Sequence, residues 1–355
     1  MKNPISRREA LRYLALASAA ALVACQSNRG DQKTGSLAGT NPRPTEPEVE
    51  AENLPLTASP PASPSADSAL VDGVGENETT ATPQPSDQVY LSVARGEDPA
   101  AITEAAMRAL GGMERFVKNG YDVIIKPNIC TDTYTFEYGA TTNPAVVGTL
   151  VRLALGAGAK RVRVMDFPFG GTPESAYARS GIADAVKAAG GEMEIMNRNK
   201  FRLMSVPDYQ SLNKTAAYQD ALDCDLLINV PITKHHTMAR ITVGCKNLMG
   251  LILDRGAIHS DFKRRIPDLV NLFRPGLTVV DAVRTLMANG PTGGNLDDVV
   301  LNNTVIASHD VVAADSYATR FFGLTGADIP YIAFAAERGL GQMDLSGLKI
   351  EEINV

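Results

Sequence analysis

Lys234-His235-His236 sets three ionisable side chains in a row, and His259 follows 23 residues later, so three of the four histidines fall in one stretch. Neutral imidazoles ligate transition metals and shuttle protons near neutral pH, and lysines hold anions or, out of water, act as bases. Three readings are open for these histidines. His235 and His259 could ligate a divalent metal completed by Asp254, Asp261 or Asp281. At least one imidazole could serve an anion or a proton transfer, or all could be hydrogen-bonded structural residues. Successive residues of an extended segment face opposite ways, so His235 and His236 need not share a target. Lys126, Lys234 and His236 are the candidates for electrostatic and proton-transfer work. No HExxH helix, GxxxxGK[ST] loop or GxSxG elbow offers another mechanism.

Such groups need a scaffold that brings distant segments together, and the chain supplies one from Gln88 onward. Short apolar runs at 89–93, 122–125, 161–165, 226–230, 277–280 and 305–307 read as strands. Helical spacing covers 99–110, 143–155 and 311–322, and Asn143-Pro144 and Thr172-Pro173 place a capping residue before a proline at the first helical position. Strands separated by helix-length segments predict an α/β fold, a largely parallel sheet with helices on both faces and room for two subdomains.

Ligands of open parallel sheets sit outside the carboxyl ends of the strands. Lys126 and Asn128 lie at one such end, Asp166 at the next, Asn229 through His236 past a third, and Asp281 past a fourth. Lys246 and Asn247 precede an apolar, helix-like run and are expected at the same mouth. The topology therefore predicts one cleft that gathers Lys126, Asn128, Lys234, His235, His236, Lys246 and Asp281. Residues 234–236 would arch over it, with the 290–294 loop opposite. Scattered surface salt bridges of little energetic weight are the competing reading.

Gly290-Pro291-Thr292-Gly293-Gly294 and Gly170-Gly171-Thr172 are loops whose backbone N–H groups could approach an anion closely. Gly290, Gly293 and Gly294 accordingly join the ligand-binding candidates, with tight turns as the plainer account. Gly156-Ala157-Gly158 ends a helix instead of following a strand and reads as a helix stop, not a dinucleotide loop. Cys130, Cys224 and Cys245 lack cluster spacing, which argues against an iron–sulfur cluster and leaves buried, inert thiols as the expectation.

Of the net charge of −6, residues 26–87 carry −7, residues 1–25 carry +3 and the remaining body carries −2. Residues 26–87 hold three basic and ten acidic side chains, nine of the 21 prolines and no aromatic residue. That composition predicts a disordered tether. Residues 88–355 are nearly neutral, without the basic footprint of a nucleic-acid binder. Residues 1–25 open with Ser6-Arg7-Arg8-Glu9, continue in an apolar run too short to span a bilayer, and end in Leu22-Val23-Ala24-Cys25. This resembles a bacterial twin-arginine signal joined to a lipoprotein box. The resemblance implies cleavage before Cys25, lipidation there, export, and a membrane anchor facing the periplasm or cell exterior.

One ordered series of short blocks runs through the body: Ile125-Lys126-Pro127-Asn128, Thr142-Asn143-Pro144, Asn229-Val230-Pro231 with Lys234-His235-His236, and 244–250 (GCKNLMG). His259, Val280-Asp281, 290–294 and Asp310 through Asp315 complete it. Together they are similar to the domain-of-unknown-function family numbered 362, over residues 88 to about 345. Many members add a ferredoxin-like segment that this sequence lacks. The family has no settled reaction, so the resemblance implies a fold and no catalytic roles. A distant likeness of layout to nickel-dependent lactate racemases, which use Lys and His around their cofactor, has no motif behind it. The residues point to an envelope enzyme acting on a small anionic substrate, with a ligand-binding lipoprotein or a redox partner as the alternative.

The N-terminal motif makes a direct prediction. Cys25→Ser should move the protein from the membrane to the soluble fraction on cell fractionation. Arg7→Lys with Arg8→Lys should block export, and export of that double variant at the normal level would point to a general secretory route instead.

Overall fold

The computed structural model describes residues 88–355. The signal segment, Cys25 and the acidic tether lie outside the described residues. Twelve strands are described: β1 (Leu91–Arg95), β2 (Asp122–Pro127), β3 (Arg161–Val164), β4 (Glu192–Met193), β5 (Phe201–Ser205), β6 (Lys214–Tyr218), β7 (Leu226–Val230), β8 (Ile232–His236), β9 (Arg240–Thr242), β10 (Leu277–Leu286), β11 (Val299–Ser308) and β12 (Ile350–Asn354). Ten form one sheet in the order β12-β1-β11-β10-β7-β2-β3-β4, with β8 beside β10 and β9 beside β8. Only β9 and β11 run against the rest, so the sheet is largely parallel. β5 and β6 form a separate antiparallel hairpin.

The helices are α1 (Pro99–Ala109), α2 (Pro144–Gly156), α3 (Pro173–Arg179), α4 (Ile182–Ala188), α5 (Gln219–Asp223), α6 (Gly244–Asn247), α7 (Gly256–His259), α8 (Phe262–Phe273), α9 (Val311–Ala318) and α10 (Pro330–Glu337). Local chemistry starts several of them. Asn143 accepts from Ala145 N at 2.9 Å ahead of Pro144, and Thr172 and Ser175 form a reciprocal cap ahead of Pro173. α2 stops where Gly158 adopts a φ of 99°, a conformation that favours glycine.

Strand alternation divides the apolar side chains between two cores. Val123, Ile125, Ile228 and Val279 face α1–α4, whereas Ile124, Leu227 and Val280 face α6–α10 and the β5–β6 hairpin. The predicted α/β architecture is thus the observed one, but several elements differ from the sequence reading. β10 and β11 each run ten residues because they pair with each other along nearly their whole length, well beyond the apolar runs that announced them. The 234–236 segment is not an arch over the cleft. It is strand β8, which continues β7 beyond Pro231 and pairs with β10 and β9. The helix expected to reach 322 ends at Ala318, and a 3-10 turn, Thr319–Phe322, follows it.

α8 lies behind the site described below, and one carboxylate anchors it. Asp268 is fully buried, accepts from the backbone N–H groups of Gln210, Ser211 and Leu212 at 2.8–2.9 Å, and pairs with Arg338 Nη1 at 2.7 Å. It therefore ties α8 to the loop before β6 and to the end of α10. Asp268→Ala leaves three N–H donors and a guanidinium without their acceptor. The substitution should cost about 3 kcal/mol or more in urea unfolding; a loss under 1 kcal/mol would show that water or neighbours replace the carboxylate.

Candidate functional site

The carboxyl ends of β2, β3 and β7–β8 open on a cavity of about 440 Å³. Lys126, Asn128, Asp166, Lys234, His236, Lys246, Asn247 and His259 all line it, so eight sequence-derived candidates share one space. Lys126 ends β2 on the face of Ile124, and its ammonium is fully occupied. It meets Asp166 Oδ1 at 2.8 Å, Pro127 O at 2.8 Å and Asn247 Oδ1 at 2.9 Å. Burial holds this ammonium below its ordinary pKa, and the adjacent Asp166 carboxylate works in the other direction. Asp166 also accepts from Ile129 N at 2.6 Å and Phe167 N at 2.8 Å.

Lys234 comes from β8 and is equally occupied. It donates to Ala140 O at 2.7 Å, Asn128 Oδ1 at 2.9 Å and Cys130 Sγ at 3.1 Å. Cys130 is half-buried in the cavity wall, which departs from the buried, inert thiol expected from sequence. His236 Nδ1 accepts from Met238 N and Ala239 N, both at 3.2 Å. A neutral imidazole that accepts at Nδ1 carries its proton on Nε2, so His236 is a donor there. Burial first, then the Lys246 and Lys234 charges, pushes its pKa down to about 3, which keeps it neutral.

Lys246 differs from the other two lysines. It is 8% exposed, and among the described residues its amine has no hydrogen-bond acceptor; its one contact of this kind is the Phe262 ring, 5.6 Å to the centroid. Burial, followed by the charge of Lys234, brings its pKa down to about 7. Sequence reasoning missed two further groups. Arg255 donates through Nε to Met249 O at 3.1 Å, but its Nη2 is buried without a partner. Thr242 Oγ1 is also buried without a partner, and both residues line this cavity. Arg255 lies in a loop between two short helical segments, where neither a strand end nor a motif marks it.

The remaining candidates lie outside the cavity. Asn229 sits behind the wall, accepting from Asn247 Nδ2 at 2.8 Å and donating to Gly244 O at 2.9 Å. Asp281 follows the parity of Val279 and Val283 and faces the opposite core, where it accepts from Asn143 N at 2.7 Å and Val283 N at 3.0 Å. Burial raises its pKa to about 6. Asp281 therefore belongs to the start of α2 and not to the cleft, because two strand-end residues share an edge of the sheet but only the right parity shares a face.

His235 Nδ1 accepts from Gly290 N at 3.1 Å, so it fastens the 290–294 loop. A side chain at Gly290 would meet His235 O at 1.9 Å, which explains the glycine there. Gly293 N bonds Asn289 O, and of this loop only Pro291 lines the cavity. The loop is a tight turn, not the anion cradle read from its glycines. Among the described residues no three His, Cys, Asp or Glu side chains come together as metal ligands, so His235 and His259 are not brought into such a set.

The family model described as a domain of unknown function, DUF362, matches residues 123–320, and the chain belongs to that family. A thylakoid-associated protein of Synechocystis sp. is 29% identical over 249 residues, spanning 68% of this chain and 75% of its own. Among solved structures, lactate racemase apoprotein from Thermoanaerobacterium thermosaccharolyticum aligns with a TM-score of 0.43 at 13% identity over 68% of this chain. A Thermotoga maritima protein aligns with a TM-score of 0.38 at 12% identity over 64% of this chain. This chain spans 58% and 60% of those two structures.

The lowered pKa of Lys246 has a stability consequence with a definite sign. Between about pH 7 and 10.5 the unfolded chain holds a proton on Lys246 that the folded chain does not. Stability from this group therefore rises with pH across that window, by an upper bound of about 5 kcal/mol. Relative to Lys246→Met, the wild type should gain stability in urea unfolding as pH rises from 7 to 9.5. A constant difference would show that Lys246 titrates normally.

Proposed function

We propose that this DUF362 protein is an exported, lipid-anchored enzyme that takes a small anionic substrate into the cavity at the carboxyl edge of its sheet. The observation that carries the reading is a pair of buried donors without partners, Arg255 Nη2 and Thr242 Oγ1, which line one space together with Lys246, whose amine has no acceptor among the described residues. Buried polar groups are normally paired, and leaving one unpaired costs about 1–3 kcal/mol. Two of them beside a free amine in one cavity are what a bound acceptor would satisfy. The charge agrees: among the described residues Asp166 is the one carboxylate lining the cavity, and it is already held by Lys126 and two N–H groups.

In this reading Arg255 grips the anion. Thr242 and the Nε2–H of His236 donate to a second oxygen, and Lys246, an amine near neutrality, accepts or returns a proton. Lys126 and Lys234 act by position, since their donors are already taken. An amine that titrates near pH 7 can both accept and return a proton there, which favours an enzyme over a ligand-binding lipoprotein. The paired arginines and the Leu22–Cys25 box support export and anchoring. The relative described as thylakoid-associated is in line with a membrane-bound setting.

Calorimetry with acetate, oxalate, lactate and inorganic phosphate tests the site. At least one should bind, and Arg255→Met should weaken it tenfold or more, about 1.4 kcal/mol, with little change in melting temperature. Unchanged affinity in Arg255→Met would remove the anion from this cavity.

A further inference from the structure

We propose that Lys246 is a nucleophile that forms an imine with a small carbonyl-bearing anion of the 2-oxo acid class. The inference rests on the anion site proposed above and adds what the lysine does there. The three buried lysines of the cavity divide by their contacts. Lys126 and Lys234 each give three hydrogen bonds to fixed acceptors, a geometry that holds an ammonium in place. Lys246 gives none, although it too is a buried residue, 8% exposed against 1% for each of the others.

Its neighbours explain why it is not an ion-pair donor. Lys234, Arg255, Lys126 and His259 act on it or are acted on by it as like charges, the Cys130 sulfur alone works in the other direction, and Asp166 is already taken by Lys126. A lysine amine that is desolvated beside other cations is held neutral, and a neutral amine with a free lone pair attacks carbonyl carbon. The surrounding groups suit that electrophile better than a simple carboxylate. Arg255 Nη2 is free for the carboxylate end. Thr242 Oγ1 and His236 Nε2–H are free for the carbonyl oxygen, as the charge on it grows during attack.

The step balances without a co-reactant. The Nζ lone pair forms a bond to the carbonyl carbon, and the C=O π pair moves to oxygen, which takes one of the amine protons by way of the Thr242 hydroxyl. The nitrogen lone pair then closes the C=N bond as the hydroxyl departs, carrying the second amine proton away as water. The product holds its carboxylate against Arg255 and an electron-withdrawing imine on the neighbouring carbon. This arrangement acidifies the next C–H bond.

The full chain, incubated at pH 7 with glyoxylate or pyruvate and sodium cyanoborohydride, would trap the imine as a stable secondary amine. Peptide mapping by mass spectrometry should find Lys246 modified at least tenfold faster than the exposed Lys160, with excess oxalate suppressing the difference. Modification spread over surface lysines, with Lys246 no faster than Lys160, overturns the proposal. Calorimetry with oxalate on the same protein separates the two readings. Oxalate binding without trapping at Lys246 leaves the anion site standing and removes the imine, whereas neither binding nor trapping removes both. Lys246→Arg should bind oxalate and lose the mapped adduct; an undiminished adduct count in that variant would place the reaction on another lysine.

Discussion

Asp166 sits two residues beyond β3 and accepts from Lys126 and from the N–H groups of Ile129 and Phe167. That pairing depends on Gly250, where an added side-chain carbon would lie 2.1 Å from Asp166 Oδ1 and 2.5 Å from Lys126 Nζ. The consequence extends beyond the pair. Among the described residues Asp166 is the one carboxylate lining the cavity; its charge still favours the Arg255 cation, but no carboxylate pairs directly with Lys234, Arg255 or Lys246. Lys234 is satisfied by neutral oxygens and a sulfur, and Arg255 and Lys246 are left with free donors. A buried ion pair is weak evidence for stability. Here its larger effect is to commit the Asp166 carboxylate to Lys126, which leaves Lys246 without an acidic partner.

The sheet makes this arrangement by geometry that has little to do with local sequence preference. β2, β3 and β7 are adjacent and parallel, so Lys126, Asp166 and Asn229 reach the same edge. β8 then continues past Pro231 and carries Lys234 and His236 to the wall, one residue apart in parity from His235, which turns to the 290–294 loop. The alternation that was anticipated for the two histidines is thus how the strand delivers one to the cavity and the other to its support.

Strand ends, caps and helix stops were legible in the sequence, because a buried parallel strand is a short apolar run and a helix start is a few residues of local chemistry. This is why Lys126, Asn128, Asp166 and Lys246 could be named. Which face of the sheet turns to the cleft was not legible, and so Asp281, on the parity of Val279, was placed at the right edge and on the wrong face. Arg255 and Thr242 could not be found, since what marks them is an absence of partners in three dimensions. The glycines of 290–294 misled because a turn and an anion cradle share a composition. What separates them is where each N–H points, and Gly290 N points to His235.

The backbone that carries Lys246 is clamped more tightly than its side chain. Asp315 accepts from Gly244 N at 2.7 Å and Cys245 N at 2.9 Å, and Asn229 takes Gly244 O. Asn247 is bound to Lys126, Asn128 and Asn229. Burial raises the Asp315 pKa to about 7 while the two N–H bonds oppose the shift, so this clamp is itself held in low dielectric. Every polar residue of the 244–247 turn is therefore fixed to the protein except Lys246. A purely structural turn would have no reason to set an unpaired amine in a largely desolvated wall, because an apolar side chain of similar length would fill the space without the desolvation cost. The same turn set in place to present a reactive amine needs this pattern: rigid on both sides, free at the nitrogen.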